Sequence, residues 1–333
     1  MQSSQNPSFA RSSSPDTALV SQNLATRPVH EHRHATVFYS HGDDRLSSTR
    51  ALVLAGGGYA ASAWELGLIT GMADAGLDAR NADLLVGTSS GSRVALHLAS
   101  GDAHEDAFQR RMQPLPPSSE RPAVVDWVAL REDIARAKQA GGGKTEILRR
   151  IGSLALAAAS GTSTPSRREI VAAQLPVTTW PEKRVLIATV NADTGERRAF
   201  SRDSGIDLVD AVIASTASFG APPVLFQGEH YIDGGFYCTD NADLATGFDR
   251  VMILALKRPP EIPSMSVATL EETVETLRDN GAEVEVIQPD ETTLAALAAA
   301  GGFLNPAISA PAARAGRLQG RRIISERILS FWR

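Results

Sequence analysis

The amino-acid sequence predicts a three-layer α/β fold in which a mainly parallel sheet lies between helices. Apolar runs of strand length alternate with helical segments, first at residues 51–55 and again at 82–86. Further strand-like runs occupy residues 184–190, 197–200, 250–256 and 282–287. Strands that alternate with helices are typical of a sheet covered by helices on both faces. A chain of 333 residues with 43% hydrophobic content is long enough to bury such a core.

Three consecutive glycines, Gly56, Gly57 and Gly58, end the first apolar run, and residues 60–68 follow as a predicted helix. Glycines at a strand-to-helix junction allow backbone N–H groups to converge on an anion at the positive end of the helix dipole. A dinucleotide site fits poorly, because Ala61 stands where the third glycine of that motif belongs. A tight turn without a ligand is the remaining alternative for this segment alone.

The second strand-to-helix junction carries the sequence Gly-Thr-Ser-Ser-Gly at residues 87–91, and residues 92–99 follow as a predicted helix. This context suits a nucleophile elbow, a sharp turn at which Gly87 and Gly91 avoid Cβ clashes and Ser89 presents its hydroxyl group. The pattern alone occurs by chance. The strand before it and the helix after it favour a serine nucleophile.

A carboxylate far downstream, Asp233, follows a short apolar strand and precedes Gly234 and Gly235. We expect this aspartate on an exposed, flexible loop. A plain Asp-Gly hairpin turn is the structural alternative. A predicted helix over residues 210–218 and the pair Pro222-Pro223 precede this strand.

Together and in this order, the three motifs resemble those of the patatin-like phospholipases, over roughly residues 51–256. Members of that family carry a glycine-rich oxyanion loop, a serine in G-x-S-x-G and an aspartate followed by glycine. The resemblance implies that Gly56–Gly58 form the oxyanion hole, that Ser89 is the nucleophile and that Asp233 is its base. It also implies a Ser–Asp dyad without histidine and a lipid ester as substrate.

Two segments depart from the family pattern. Ala60 and Ala61 stand where the family often has a basic residue and a further glycine, and residues 241–244 lack the usual proline. Histidine is the usual base for serine, and the candidates in this sequence are His97, His104 and His230. Only His230 lies near Asp233 in sequence, which leaves Asp233 as the better candidate.

The function implied is serine-dependent hydrolysis of a carboxylic ester in a phospholipid or lysophospholipid. A transacylase would use the same residues, and a non-catalytic lipid-binding or regulatory protein is a second alternative. No metal or cofactor is expected, because no cluster of ligand residues is present. The sequence does not indicate the oligomeric state.

Four segments describe the predicted organisation of the chain. Residues 1–48 are expected to be a disordered tail without the apolar core of a secretory signal. A catalytic domain is expected over 49–257, with a helical insertion at 102–170 that is a possible lid. Residues 258–333 are expected to be a mostly helical extension packed on the same domain.

Composition limits the classes of partner. The net charge of −5 argues against nucleic acid. A single cysteine, Cys238, suits a reducing compartment, so we expect a cytoplasmic protein. No apolar run reaches the ~18 residues of a membrane span. The C-terminal segment carries a basic cluster of Arg314, Arg317, Arg321, Arg322 and Arg327. We expect this cluster to be a solvated helix face, and peripheral contact with anionic lipid headgroups is the alternative.

Overall fold

Eight strands form one mixed sheet at the centre of the computed structural model, which describes residues 48–113, 126–158, 164–218, 221–256, 264–299 and 305–333. Nearly all of the predicted tail, residues 1–47, lies outside these ranges. The strands are β1 (Arg50–Leu54), β2 (Leu84–Thr88), β3 (Arg184–Asn191), β4 (Arg197–Phe200), β5 (Val224–Phe226), β6 (Glu229–Asp233), β7 (Arg250–Leu254) and β8 (Glu283–Ile287). Their order is β5-β6-β3-β2-β1-β7-β8, and β4 pairs with β3 off this path.

The centre of the sheet is parallel and one side is antiparallel. Strands β3, β2, β1, β7 and β8 run in the same direction, whereas β4 and β6 pair with β3 in the opposite sense and β5 pairs with β6. The predicted α/β class is thereby confirmed. The sequence missed β5, which has only three residues and exposes Leu225 at 63%.

Eleven helices occur in the described ranges. They are α1 (Gly58–Asp74), α2 (Ser90–Ala99), α3 (His104–Met112), α4 (Trp127–Gln139), α5 (Lys144–Ala158), α6 (Thr164–Gln174), α7 (Leu208–Ser215), α8 (Leu270–Asp279), α9 (Glu291–Ala299), α10 (Ser309–Ile323) and α11 (Glu326–Trp332). A side-chain cap explains why α7 begins before residue 210, where the sequence predicted its start. Asp207 accepts a hydrogen bond from Val209 N–H at 2.9 Å, so α7 begins at Leu208.

Helix α10 packs closely against α1, because glycines lie on the facing sides of both helices. A Cβ atom at Gly67 would lie 2.0 Å from the carbonyl oxygen of Ala313, and one at Gly316 would lie 2.3 Å from that of Trp64. The C-terminal helices therefore cover the helix that follows the glycine-rich loop.

Most of the C-terminal basic cluster is paired with carboxylates. Arg317 contacts Asp74 and Glu105, both at 2.8 Å. The remaining pairs are Arg321 with Asp74, Arg322 with Asp290 and Arg327 with Glu285.

Among the helices of the described ranges, none combines the length and apolarity needed to cross a bilayer.

The described part of the segment 102–170 contains the helices α3, α4, α5 and most of α6. Helices α4 and α5 cover the ends of β3 and β6, where Ile134 and Ile151 pack in one apolar cluster with Val190, Ile232 and Phe236. This cluster includes the residue before Asp233 and therefore places the insertion beside the candidate site.

Candidate active site

Ser89 lies in the turn between β2 and α2, with a backbone conformation that non-glycine residues rarely adopt. Its φ is 52° and its ψ is −122°. Both motif glycines allow the turn to be this sharp. A Cβ atom at Gly91 would lie 2.1 Å from the carbonyl oxygen of Leu54, and one at Gly87 would lie 2.5 Å from Ser92 Cα. Positive φ at a serine between strand and helix is the strained geometry of a nucleophile elbow.

Ser89 and Asp233 are 144 residues apart in sequence and are joined by a hydrogen bond. Ser89 Oγ donates to Asp233 Oδ2 at 2.8 Å. Asp233 ends β6 and lies opposite Thr189 of β3, while Ala188 of β3 lies opposite Thr88 of β2. The order β2-β3-β6 therefore brings the carboxylate to the turn that carries the serine.

The expectation of an exposed, flexible loop at Asp233 is wrong. The residue is only 6% exposed, because β6 pairs with β3 and helices cover the strand end. After Asp233, residues Gly234–Phe236 form a short 3₁₀ turn, and Gly235 N–H donates to Asp233 Oδ1 at 2.8 Å. A Cβ atom at Gly234 would lie 2.5 Å from the carbonyl oxygen of Ala188, which explains this glycine.

Burial sets the protonation of the Asp233 carboxyl. It raises the pKa from 3.8 to about 6, against the opposing effects of the Gly235 N–H, the Ser89 hydroxyl and the charge of Arg167. Asp233 is consequently ionised at neutral pH and holds a proton more readily than an exposed aspartate. Such a carboxylate can accept the proton of the serine hydroxyl.

The structure separates the roles of the three consecutive glycines. Gly56 N–H donates to the carbonyl oxygen of Thr239 at 2.7 Å, so this group already has an acceptor. A Cβ atom at Gly56 would lie 3.0 Å from Ser89 Cβ, so Gly56 provides space beside the serine. Gly57 caps α1, and Gly58 begins that helix with a φ of 68°. The first N–H groups of a helix lack an intrahelical acceptor, which makes Gly57 and Gly58 the candidate oxyanion donors.

The family model for patatin-like phospholipases matches residues 52–246 of this chain, which is more than half of its length.

The chain belongs to the patatin-like phospholipase family.

Remote likenesses to solved structures accompany this match. VipD from Legionella pneumophila is 14% identical, with a TM-score of 0.41 and with 83% of this chain and 67% of VipD covered. Human GIVD cytosolic phospholipase A2, solved with methyl gamma-linolenyl fluorophosphonate, is 12% identical, with a TM-score of 0.45 and coverages of 86% and 58%. ExoU of Pseudomonas aeruginosa, solved with SpcU, is 16% identical, with a TM-score of 0.33 and coverages of 84% and 53%. Among curated proteins, no sequence match was found.

The end of the segment predicted as a helix over residues 210–218 holds the backbones of both site residues, a role that the sequence did not indicate. Ser215, the last residue of α7, accepts the N–H of Ser89 at 2.9 Å with its hydroxyl oxygen. The same hydroxyl donates to the carbonyl oxygen of Ala188 at 2.7 Å. Two residues later, the carbonyl oxygen of Ala217 accepts the N–H of Asp233 at 3.1 Å.

The three histidines of the described ranges are engaged away from Ser89 and Asp233. Burial, with help from Arg111 and Arg110, lowers the pKa of His97 to about 3. His104 Nε2 lies 3.0 Å from an Asp78 oxygen, and His230 Nδ1 lies 3.2 Å from both carboxylate oxygens of Asp193. The geometry therefore presents a serine and an aspartate without a histidine between them.

Asn241 lies in the segment that lacks the usual family proline, and its side-chain amide connects the backbone segments that carry Ser89 and Asp233. Its Nδ2 donates to Thr88 Oγ1 at 3.1 Å and to the carbonyl oxygen of Gly234 at 3.2 Å. One amide thus links the residue before Ser89 to the residue after Asp233.

The buried Cys238 thiol donates to Asp240 Oδ2 at 3.0 Å, and burial raises its pKa, so this group is not poised as a nucleophile.

No group of three or more His, Cys, Asp or Glu side chains in the described ranges is arranged to hold a metal ion. The groups available for chemistry at this site are the serine hydroxyl, the buried carboxylate and the backbone N–H groups at the start of α1.

Proposed function

We propose that this protein is a serine-dependent lipid acyl hydrolase that cleaves carboxylic ester bonds of phospholipids or lysophospholipids. The observation that carries the proposal is the 2.8 Å hydrogen bond from Ser89 Oγ to the buried Asp233 carboxylate. Membership of the patatin-like phospholipase family supports the lipid substrate.

The first half of the reaction transfers the acyl group to the enzyme. Ser89 Oγ attacks the ester carbonyl carbon while Asp233 takes the hydroxyl proton. The resulting oxyanion accepts hydrogen bonds from the N–H groups of Gly57 and Gly58 at the positive end of α1. The carbon–oxygen bond to the leaving alcohol then breaks, and Asp233 returns the proton to that oxygen.

A water molecule completes the cycle. It attacks the acyl-enzyme carbonyl carbon and gives a proton to Asp233, a second tetrahedral intermediate forms, and the fatty acid leaves. Ser89 regains its proton from Asp233. A base with a pKa of about 6 suits both directions, because it is ionised at neutral pH and its proton is readily returned.

A pair of adjacent serines provides the test. Ser89→Ala removes the hydroxyl that contacts Asp233, whereas Ser90→Ala removes a buried hydroxyl that has no hydrogen-bond partner within the described residues. With a short-chain nitrophenyl ester, Ser89→Ala should lose several orders of magnitude in turnover. Ser90→Ala should keep turnover close to that of the wild type.

Product analysis decides what accepts the acyl group. Free fatty acid from phospholipid or lysophospholipid vesicles supports hydrolysis, whereas acyl transfer to an added alcohol in preference to water supports a transacylase.

In the serine substitution experiment, more than a few per cent of residual turnover in folded Ser89→Ala would remove Ser89 from the mechanism.

A further inference from the structure

The last residues of α7 connect the two members of the dyad. Ser215 holds the Ser89 N–H with its hydroxyl, and Ala217 holds the Asp233 N–H with its carbonyl. Between them lies Thr216. A small displacement of this segment, which we call the 215–217 clamp, would move both reacting side chains relative to each other. Misplacement of about 1 Å is enough to cost roughly 100-fold in rate.

The clamp is held from outside by Arg167, a residue of α6 in the helical insertion. Arg167 Nη2 donates to the Thr216 carbonyl oxygen at 2.9 Å and to Thr216 Oγ1 at 3.1 Å. The residue is only 6% exposed. A buried guanidinium is unfavourable unless its N–H groups are hydrogen-bonded, so the arginine and the clamp fix each other.

We propose that Arg167 is a positioning residue for the reaction, through which the insertion sets the geometry and the charge environment of the Ser89–Asp233 dyad. This inference rests on the proposed function. It assigns α6 a part in catalysis, although α6 supplies no reacting atom.

Charge near the dyad gives the inference a second consequence. Among the described residues, Arg167 places a positive charge near Asp233, where it favours the ionised carboxylate. Other charged groups on and beside β6 have partners of their own: His230 with Asp193, Glu229 and Arg198 with the Tyr231 hydroxyl, Arg197 with Asp243, Asp210 with Arg168, and Arg184 with the Phe248 ring. Removing the arginine should therefore raise the pKa of Asp233.

The neighbouring residue supplies a matched control. Arg168 also lies on α6 and also binds α7, but at its other end, where it contacts Asp207 at 2.7 Å and Asp210 at 3.0 Å. Arg168→Met thus removes a guanidinium link between the same two helices without touching the clamp. Arg167→Lys keeps the charge of Arg167 but loses the two-bond contact with Thr216.

The experiment measures kcat/KM against pH for wild type, Arg167→Met, Arg167→Lys and Arg168→Met. Asp233 must be ionised to act as base, so activity falls on the acid side of its pKa. In Arg167→Met, we expect turnover to fall about 10-fold or more and the acid limb of the profile to move to higher pH. Arg167→Lys should restore the acid limb and only part of the turnover, and Arg168→Met should match the wild type.

Three results would overturn the inference: a folded Arg167→Met with wild-type turnover, a loss that is uniform with pH, or an equal shift in Arg168→Met. Should Arg167→Met fail to fold, Arg167→Lys decides, since wild-type turnover in that variant would remove the positioning role. The proposed function fails in a different way, namely when the wild type itself shows no ester turnover at any pH.

Discussion

Replacing Asp233 with Asn should abolish turnover and, at the same time, stabilise the folded protein at neutral pH. Asp233 is 6% exposed, and its burial raises the pKa from 3.8 to about 6. Asparagine has nearly the same shape and can still accept the Gly235 N–H and face the Ser89 hydroxyl. It carries no charge and cannot take a proton, so the substitution removes the base with little change in packing.

The size of the stabilisation follows from the pKa. At about 1.4 kcal/mol per pKa unit, a rise from 3.8 to about 6 makes ionised Asp233 lower the free energy of unfolding by about 3 kcal/mol. The folded protein binds this proton more tightly than the unfolded chain does. Wild type therefore loses stability as the pH rises from about 4 to about 6, and the whole cost is present above that range. The variant lacks this titration.

Denaturant unfolding of the two proteins at about pH 4, 6 and 8 measures the effect, with the wild-type free energy subtracted from that of Asp233→Asn at each pH. Other groups titrate in both proteins and cancel in this difference. The difference should grow by about 2.4 kcal/mol between the lowest and the highest pH, because at pH 4 the unfolded aspartate is already about half ionised. A difference that stays constant or falls with rising pH would refute the buried, pKa-raised carboxylate, and substantial ester turnover in the variant would refute its role as base.

Substitutions at the glycine loop, at Ser215 and at the histidines test the surroundings of the dyad. Gly57→Ala places a Cβ atom 2.7 Å from that of Ala61, so the oxyanion donors should move and turnover should drop by about 10²-fold. The control Gly76→Ala also lies at positive φ, but in open space, and should leave turnover unchanged. Ser215→Ala removes the 2.9 Å hydrogen bond to the Ser89 N–H and should lower kcat by about 10-fold or more with KM little changed, which steady-state kinetics would show; equal kcat in folded protein would contradict the clamp. Alanine substitutions of the described histidines should preserve substantial turnover; these residues are His97, His104 and His230. A folded histidine variant as inactive as Ser89→Ala would replace the dyad with a triad.

The features that the sequence predicted well are local ones. A strand followed by glycines and a helix is written in consecutive residues, so the turns at Gly58 and Ser89 and most strands could be located from hydrophobic pattern and glycine position. The succession of these units then predicted the mainly parallel sheet.

Features that depend on distant pairing could not be predicted. The burial of Asp233 follows from the pairing of β6 with β3, and the N–H of Gly56 is occupied by a carbonyl group at Thr239. Neither contact leaves a signal in the residues beside it. Ser215 and Arg167 were missed for the same reason, since a serine at a helix end and an arginine in a helical insertion are ordinary features until the fold brings them together.

The central claim, that Ser89 is a nucleophile activated by Asp233, is tested most directly by the rate and position of labelling with a fluorophosphonate ester. Mass spectrometry of the labelled protein should locate one adduct, on Ser89, which forms faster at about pH 8 than at about pH 5 because Asp233 must be ionised. Ser89→Ala should remain unlabelled and Asp233→Asn should react much more slowly. An adduct on Ser90 or elsewhere, or labelling of Ser89 at an undiminished rate in Asp233→Asn, would contradict the account.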